Sequence, residues 1–224
     1  MDFQLSESVA ILRFDDGKAN AVSHVFLDDI NIGLDRAQQE ARAVVLRGRQ
    51  GIFSAGFDLA EFKKGPEATV ALARRGLELL VRLYSLPLPL VAACSGHGIA
   101  MGAFILLACD TRIGIRGDFR ISMPETAIGM DLPPPIMALT ASRLSKRHLT
   151  RAAIQAEVYS PEAAIDAGFL DEVVAAEELD ARALAVATRL GKLPQKYYAR
   201  NKLATRAEAL AAMRDFLNPA GADS

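Results

Sequence analysis

Apolar positions change period along the chain, and the changes mark the elements. Phe3, Leu5, Val9, Ile11, Leu12 and Phe14 follow the alternation of two short strands, with a turn near residues 6–8 and a stop at Asp15-Asp16-Gly17. From about 24 to 40 the spacing is helical, through Val25, Phe26, Ile30, Leu34 and Ala37, and Ala-Val-Val-Leu at 43–46 reads as a buried strand. A second unit follows. Val70, Ala73, Leu77, Leu80, Val81 and Tyr84 trace one face of a long helix after Gly65-Pro66, and residues 90–94 form another buried strand. Ser95-Gly96-His97-Gly98 reads as a turn, 101–109 as a buried helix, and 111–115 and 119–122 as strands.

After Glu125 the pattern is helical, with segments near 136–144, 146–154, 160–167, 176–190 and 195–216 and almost no strand material. The sequence therefore predicts an α/β core over residues 1–145. A helical region, 146–224, belongs to the same structural unit, because no Gly/Ser linker divides the two.

Composition narrows the classes of function. The 224 residues are 51% hydrophobic and 24% charged, enough for a sizeable core. The 26 basic and 27 acidic residues leave a net charge of -1, which offers no field for nucleic acid or an anionic membrane. The N-terminus has no basic segment leading into an apolar run, and a cytoplasmic protein is expected. Cys94 and Cys109 lack CxxC or Cys/His spacing, so they are expected to be buried packing residues and no metal site is implied. There is no GxSxG elbow, GxGxxG or P-loop, and Ser95-x-His97 is not the spacing of a triad.

Two stretches of small residues carry the chemistry. Gly51-Ile52-Phe53-Ser54-Ala55-Gly56-Phe57-Asp58-Leu59 ends a strand in a turn that lets a ligand approach the backbone. Ser95-Gly96-His97-Gly98-Ile99-Ala100-Met101-Gly102-Ala103 sits before a helix, whose first amides are free. With Cys109-Asp110, Pro124-Glu125, Lys18-Ala19-Asn20-Ala21 and the segment from Ser160 to Val173, these resemble the crotonase (enoyl-CoA hydratase/isomerase) family over roughly residues 5–175.

The resemblance implies a crotonase-like spiral of ββα units whose helical C-terminal part assembles a homotrimer or a dimer of trimers. It implies an acyl-CoA thioester substrate, with coenzyme A arriving as part of that substrate and no separate cofactor. The amides of Phe57 and Met101 would form an oxyanion hole, each donor worth about 3 to 4 kcal/mol. Lys18, Ala19, Ala55, Asp58 and Leu59 would contact the CoA ester, and Lys63 or Lys64 its phosphates. Hydratases of the family use two glutamates. Here the first position holds Phe104 and the second holds Glu125, so Phe104 becomes a dry wall and Glu125 the single acid/base, with its pKa raised by apolar neighbours. Asp131, before Pro133-Pro134-Pro135, is a minor candidate for a displaced second acid. The expected reaction is Δ3,Δ2-enoyl-CoA isomerisation. Hydration of a 2-enoyl-CoA and acyl-CoA binding without turnover are the alternatives.

Overall fold

The computed structural model describes residues 1–218, and its plan is set by strands that are apolar on both faces. A six-stranded sheet takes β1 (Asp2–Ser6), β2 (Val9–Arg13), β3 (Ala43–Arg47), β5 (Leu90–Cys94), β7 (Thr111–Ile115) and β9 (Glu172–Val174) in that order. Only the β1–β2 pair in it is antiparallel. Ala10, Leu12, Val44, Leu46, Leu90 and Ala92 enter the main core, while Val9, Ile11, Ala43, Val45, Val91 and Ala93 enter a second core on the opposite face. Helix α8 (Leu179–Gly191) covers that second face with Leu179, Ala183, Val186 and Ala187. Burial on both faces is why these strands appear in the sequence as unbroken apolar runs.

A second sheet is parallel and three-stranded: β4 (Gly51–Ser54), β6 (Gly96–Ile99) and β8 (Ile121–Ser122). The chain visits the two sheets alternately. β3 and β4 lead into α2 (Leu59–Phe62) and α3 (Pro66–Ser85), β5 and β6 into α4 (Met101–Ala108), and β7 and β8 into α5 (Pro134–Arg143). This is the expected repetition of ββα units. Helix α1 (His24–Glu40) joins β2 to β3 and is capped by Ser23, whose hydroxyl accepts from the Phe26 amide at 3.2 Å.

Four local expectations are corrected. Residues 95–98 do not form a simple turn, since Gly96 begins β6. A Cβ at Gly96 would lie 2.0 Å from the carbonyl carbon of Gly51, so the strands meet at a spacing that only a bare backbone permits. The strand expected over 119–122 is confined to Ile121–Ser122. Strand material returns after Glu125 as β9, three residues paired with β7 and too short to show an alternation. The long helix expected over 195–216 is two, α9 (Gln195–Thr205) and α10 (Ala207–Leu217). They break at Arg206, whose guanidinium turns inward to the Tyr84 carbonyl at 2.7 Å and to Asp110.

Asp110 ties α9 and the α9–α10 break to the core. Its side chain, 8% exposed, takes Lys202 at 2.9 Å and Arg206 at 2.8 Å as ion pairs. It also accepts from the Tyr198 hydroxyl at 2.8 Å and from the Leu90 amide at 2.9 Å. Cys94 and Cys109 are free and buried, and burial pushes both thiols up to about 12, as packing residues should behave. Asp110→Ala strands two buried cations, so urea unfolding should show a loss of about 3 to 5 kcal/mol.

Candidate active site

The site begins where the ends of β4 and β6 nearly touch. Gly56 has φ 99°, and a Cβ there would sit 2.9 Å from the Ala100 methyl carbon and 3.5 Å from the Met101 nitrogen. Gly102 presses on the Ser54 carbonyl, which a Cβ would approach to 2.3 Å. Ala100, with φ 53° and ψ -121°, turns the chain from β6 into α4. The two segments are thereby fixed against each other, and each offers an amide. Val22 donates to the Gly56 carbonyl at 2.8 Å and Asp58 to the Val22 carbonyl at 3.1 Å, which leaves the Phe57 N–H between them facing the other way. Met101 is the first residue of α4, so its N–H has no carbonyl one turn earlier.

The first segment is braced from below. Buried Asn20 donates to the carbonyls of Phe14, Ile52 and Phe53 at 3.2 to 3.3 Å, and the Ser54 hydroxyl donates to the Asn20 carbonyl at 2.8 Å. The loop before it wraps the Asp16 carboxylate, which accepts from the amides of Lys18, Asn20 and Ala21. Partial burial of Asp16 opposes ionisation, but these amides outweigh it and hold the pKa below the usual aspartate range.

Glu125 comes to the same place through β8. That strand pairs with β6, and Ala100 donates to the Ser122 carbonyl at 3.0 Å, so the chain beyond Ser122 emerges beside the Met101 amide. Glu125 is 7% exposed, and among the described residues its Oε2 has no hydrogen-bond partner. Burial therefore raises its pKa above the usual glutamate value of 4.5, with only a backbone amide opposing.

Phe57, Met101, Phe104 and Glu125 share one cavity of about 450 Å³. One wall is the α3 stripe Val70, Ala73, Leu77 and Leu80, so the upper part of the face expected in the core faces the cavity instead, with Val70 66% exposed. Leu132, Pro133 and Ile136 form a second wall, and Phe216 and Leu217 of α10 a third. Asp131, exposed, lies on the rim of the same cavity. Gly76 admits the Phe57 ring, since a Cβ there would be 2.4 Å from Cζ. Sequence reasoning missed Gly76, Arg74 and the α10 residues. The α3 stripe could have pointed to the first two, and nothing local points to the last.

The other expected ligand contacts lie outside this cavity. Lys18 is exposed, with its carbonyl accepting from Arg49 at 2.8 Å, and the Ala19 carbonyl accepts from the Ala55 amide at 3.0 Å. Asp58 caps α2 through the Ala60 amide at 2.9 Å, and Leu59 is 65% exposed beside it. Lys63 and Lys64 are exposed, the latter paired with Glu61 at 2.7 Å. His97 accepts from the Arg120 amide at 2.9 Å and is a structural turn partner. Among the described residues no group of three His, Cys, Asp or Glu side chains converges to hold a metal.

Two amides and one buried carboxylate at a largely apolar cavity are the parts with which a site can stabilise an oxyanion while a proton moves. The family model described as enoyl-CoA hydratase/isomerase matches residues 4–216, and the chain belongs to that family. A probable enoyl-CoA hydratase of Bacillus subtilis is 34% identical over 130 residues, 56% of this chain and 50% of that protein. The human mitochondrial enoyl-CoA delta isomerase 1 is 30% identical over 191 residues, 83% of this chain and 63% of its own length. The chain thus spans about half to two thirds of these curated relatives. The apo structure of a Mycobacterium tuberculosis enoyl-CoA isomerase superimposes with TM-score 0.92 at 35% identity, covering 96% of this chain and 95% of the other. The fold is that of the crotonases.

A raised carboxyl pKa has a stability consequence. The folded state holds the Glu125 proton more tightly than the unfolded chain, so stability is fully present below about pH 4.5 and falls as pH rises through the folded-state value. Glu125→Gln removes that loss. Its melting temperature should exceed the parent's at neutral pH, with the difference closing below pH 4.5, as thermal melts across pH will show.

Proposed function

We propose that this chain isomerises 3-enoyl-CoA thioesters to 2-enoyl-CoA thioesters, and the observation that carries the reading is one buried carboxylate, with an oxygen that has no hydrogen-bond partner among the described residues, in a largely apolar cavity. The thioester carbonyl oxygen accepts from the Phe57 and Met101 amides. Glu125, ionised, takes a proton from C2, and the electron pair moves into the carbonyl to give a dienolate. The same carboxyl then returns the proton to C4 as the double bond settles between C2 and C3, so no atom is gained or lost. Phe104 excludes the water that a hydratase must hold, and a dry cavity keeps the carboxyl basic enough to work near neutral pH. That one relative is named a hydratase and another an isomerase is consistent with a shared enolate step and divergent proton handling.

A competing reading, hydration of a 2-enoyl-CoA, is favoured by Asp131 on the cavity rim, where a second carboxylate could hold a water. Purified protein given a 3-enoyl-CoA and a 2-enoyl-CoA separates the two. Isomerisation should appear without hydration, Glu125→Gln should lower it by about 10² to 10⁴-fold, and Asp131→Asn should leave it within a few-fold. Hydration that Asp131→Asn abolishes would replace the isomerase reading. Binding of CoA esters with no turnover would make the chain a binding paralogue.

Assembly into a homotrimer or a dimer of trimers is part of the same proposal. Ile128 (61% exposed), Ile154 (60%) and Val158 (55%) flank the turn that carries Glu125, close together because the Thr126 hydroxyl donates to the Ala153 carbonyl. Light scattering should return three or six times the 24.1 kDa chain mass, and Ile154→Asp should shift it toward the monomer.

A further inference from the structure

At the other end of α4, about 10 Å along the helix from Met101, a second cleft of about 600 Å³ opens between Tyr84 of α3, the end of α5, and α9. Three cations line it, Arg143, Lys202 and Arg206, against one carboxylate, Asp110. Asp110 is already committed to Lys202 and Arg206. Arg143 donates to the carbonyls of Leu107 at 3.0 Å and Cys109 at 2.8 Å, which satisfy its geometry without supplying a full negative charge. The adjacent Arg112 brings its own counter-ion, Asp171 at 2.6 Å, and so neither adds to nor relieves the excess. Formal charge in the cleft is therefore +2, carried by side chains of which Lys202 and Arg206 are each 7% exposed. The strain shows in Arg143, pushed down to about 10 by burial and then by Arg112 and Arg206.

A half-buried cation without a full counter-charge, beside two buried cations that share one carboxylate, is costly, and a polar, roomy cleft there is what an anion would fill. We propose that this cleft binds a small dianion, an oxyanion of the size of inorganic phosphate or a short dicarboxylate, held by Arg143 and Arg206 with Asn201 and the Tyr197 hydroxyl at its mouth. The site is distinct from the acyl cavity and shares with it α3 and α5, the latter running from Ile136 at the cavity to Arg143 at the cleft.

The test is thermal unfolding of the full chain titrated with inorganic phosphate, and separately with succinate, at constant ionic strength. Asn201→Asp, an isosteric change at an exposed position lining the cleft, is the comparison. The parent should show a saturable rise in melting temperature with one or both anions. Asn201→Asp should start higher in anion-free buffer and bind at least about tenfold more weakly, because it supplies a charge of its own and repels the ligand's. General stabilisation by an excluded salt acts alike on both chains and does not produce the difference. A response to phosphate alone or to succinate alone assigns the geometry of the dianion. No saturable rise with either, or the same rise in both chains, overturns the proposal.

Discussion

The close approach of Gly56 to Ala100 is the contact on which the site depends. It sets two backbone segments that follow different sheet strands against each other, and it does so because Gly56 carries no side chain. The arrangement costs strain at Ala100, where a residue with a Cβ at positive φ is worth about 1 to 3 kcal/mol. The cost is met by neighbours that over-determine the geometry: Gly102 seated on the Ser54 carbonyl, Ser54 bonded to Asn20, and Asn20 collecting three carbonyls beneath. The side chains at 57 and 101 line the cavity.

Two buried carboxylates show opposite uses of burial. Asp110 is surrounded by two cations, a hydroxyl and an amide, and serves to hold helices together. Among the described residues Glu125 has an oxygen with neither a hydrogen-bond nor an ion-pair partner, and its pKa is raised by burial, a poor arrangement for stability and a suitable one for moving a proton. The difference lies in what surrounds each group, since both are acidic residues in apolar stretches of sequence. It is also what separates a structural from a chemical reading of Glu125.

Strands β2, β3, β5 and β7 and helices α1, α3 and α4 were legible in the sequence because burial there is periodic or continuous over five residues or more. Strand β6 was not, because Gly96 is required by contact with Gly51 and Gly98 by contact with Leu106, and they leave no side-chain pattern. Strand β9 was not, because three residues carry no period, and the break at Arg206 was not, because it is caused by a carboxylate distant in sequence. Of the site, Phe57, Met101, Phe104 and Glu125 were readable from motif spacing and converge on one cavity. Lys18, Ala19, Ala55, Asp58 and Leu59, expected from the same motifs, lie outside that cavity.

What the sequence could not show is which part of the chain closes the cavity. Helix α10 packs on α3 and α5 and brings Phe216 and Leu217 to the far wall. Arg74, on the cavity side of α3, donates to the Leu217 carbonyl at 3.0 Å, a cation placed at a helix C-terminus where the dipole favours it. The far wall of the cavity is therefore fixed by a tertiary latch between residues more than a hundred positions apart. The placement of the Phe57 and Met101 amides depends on local backbone contacts instead. A site built this way can keep its two amides in place while the volume of the cavity beside them changes with the packing of α10.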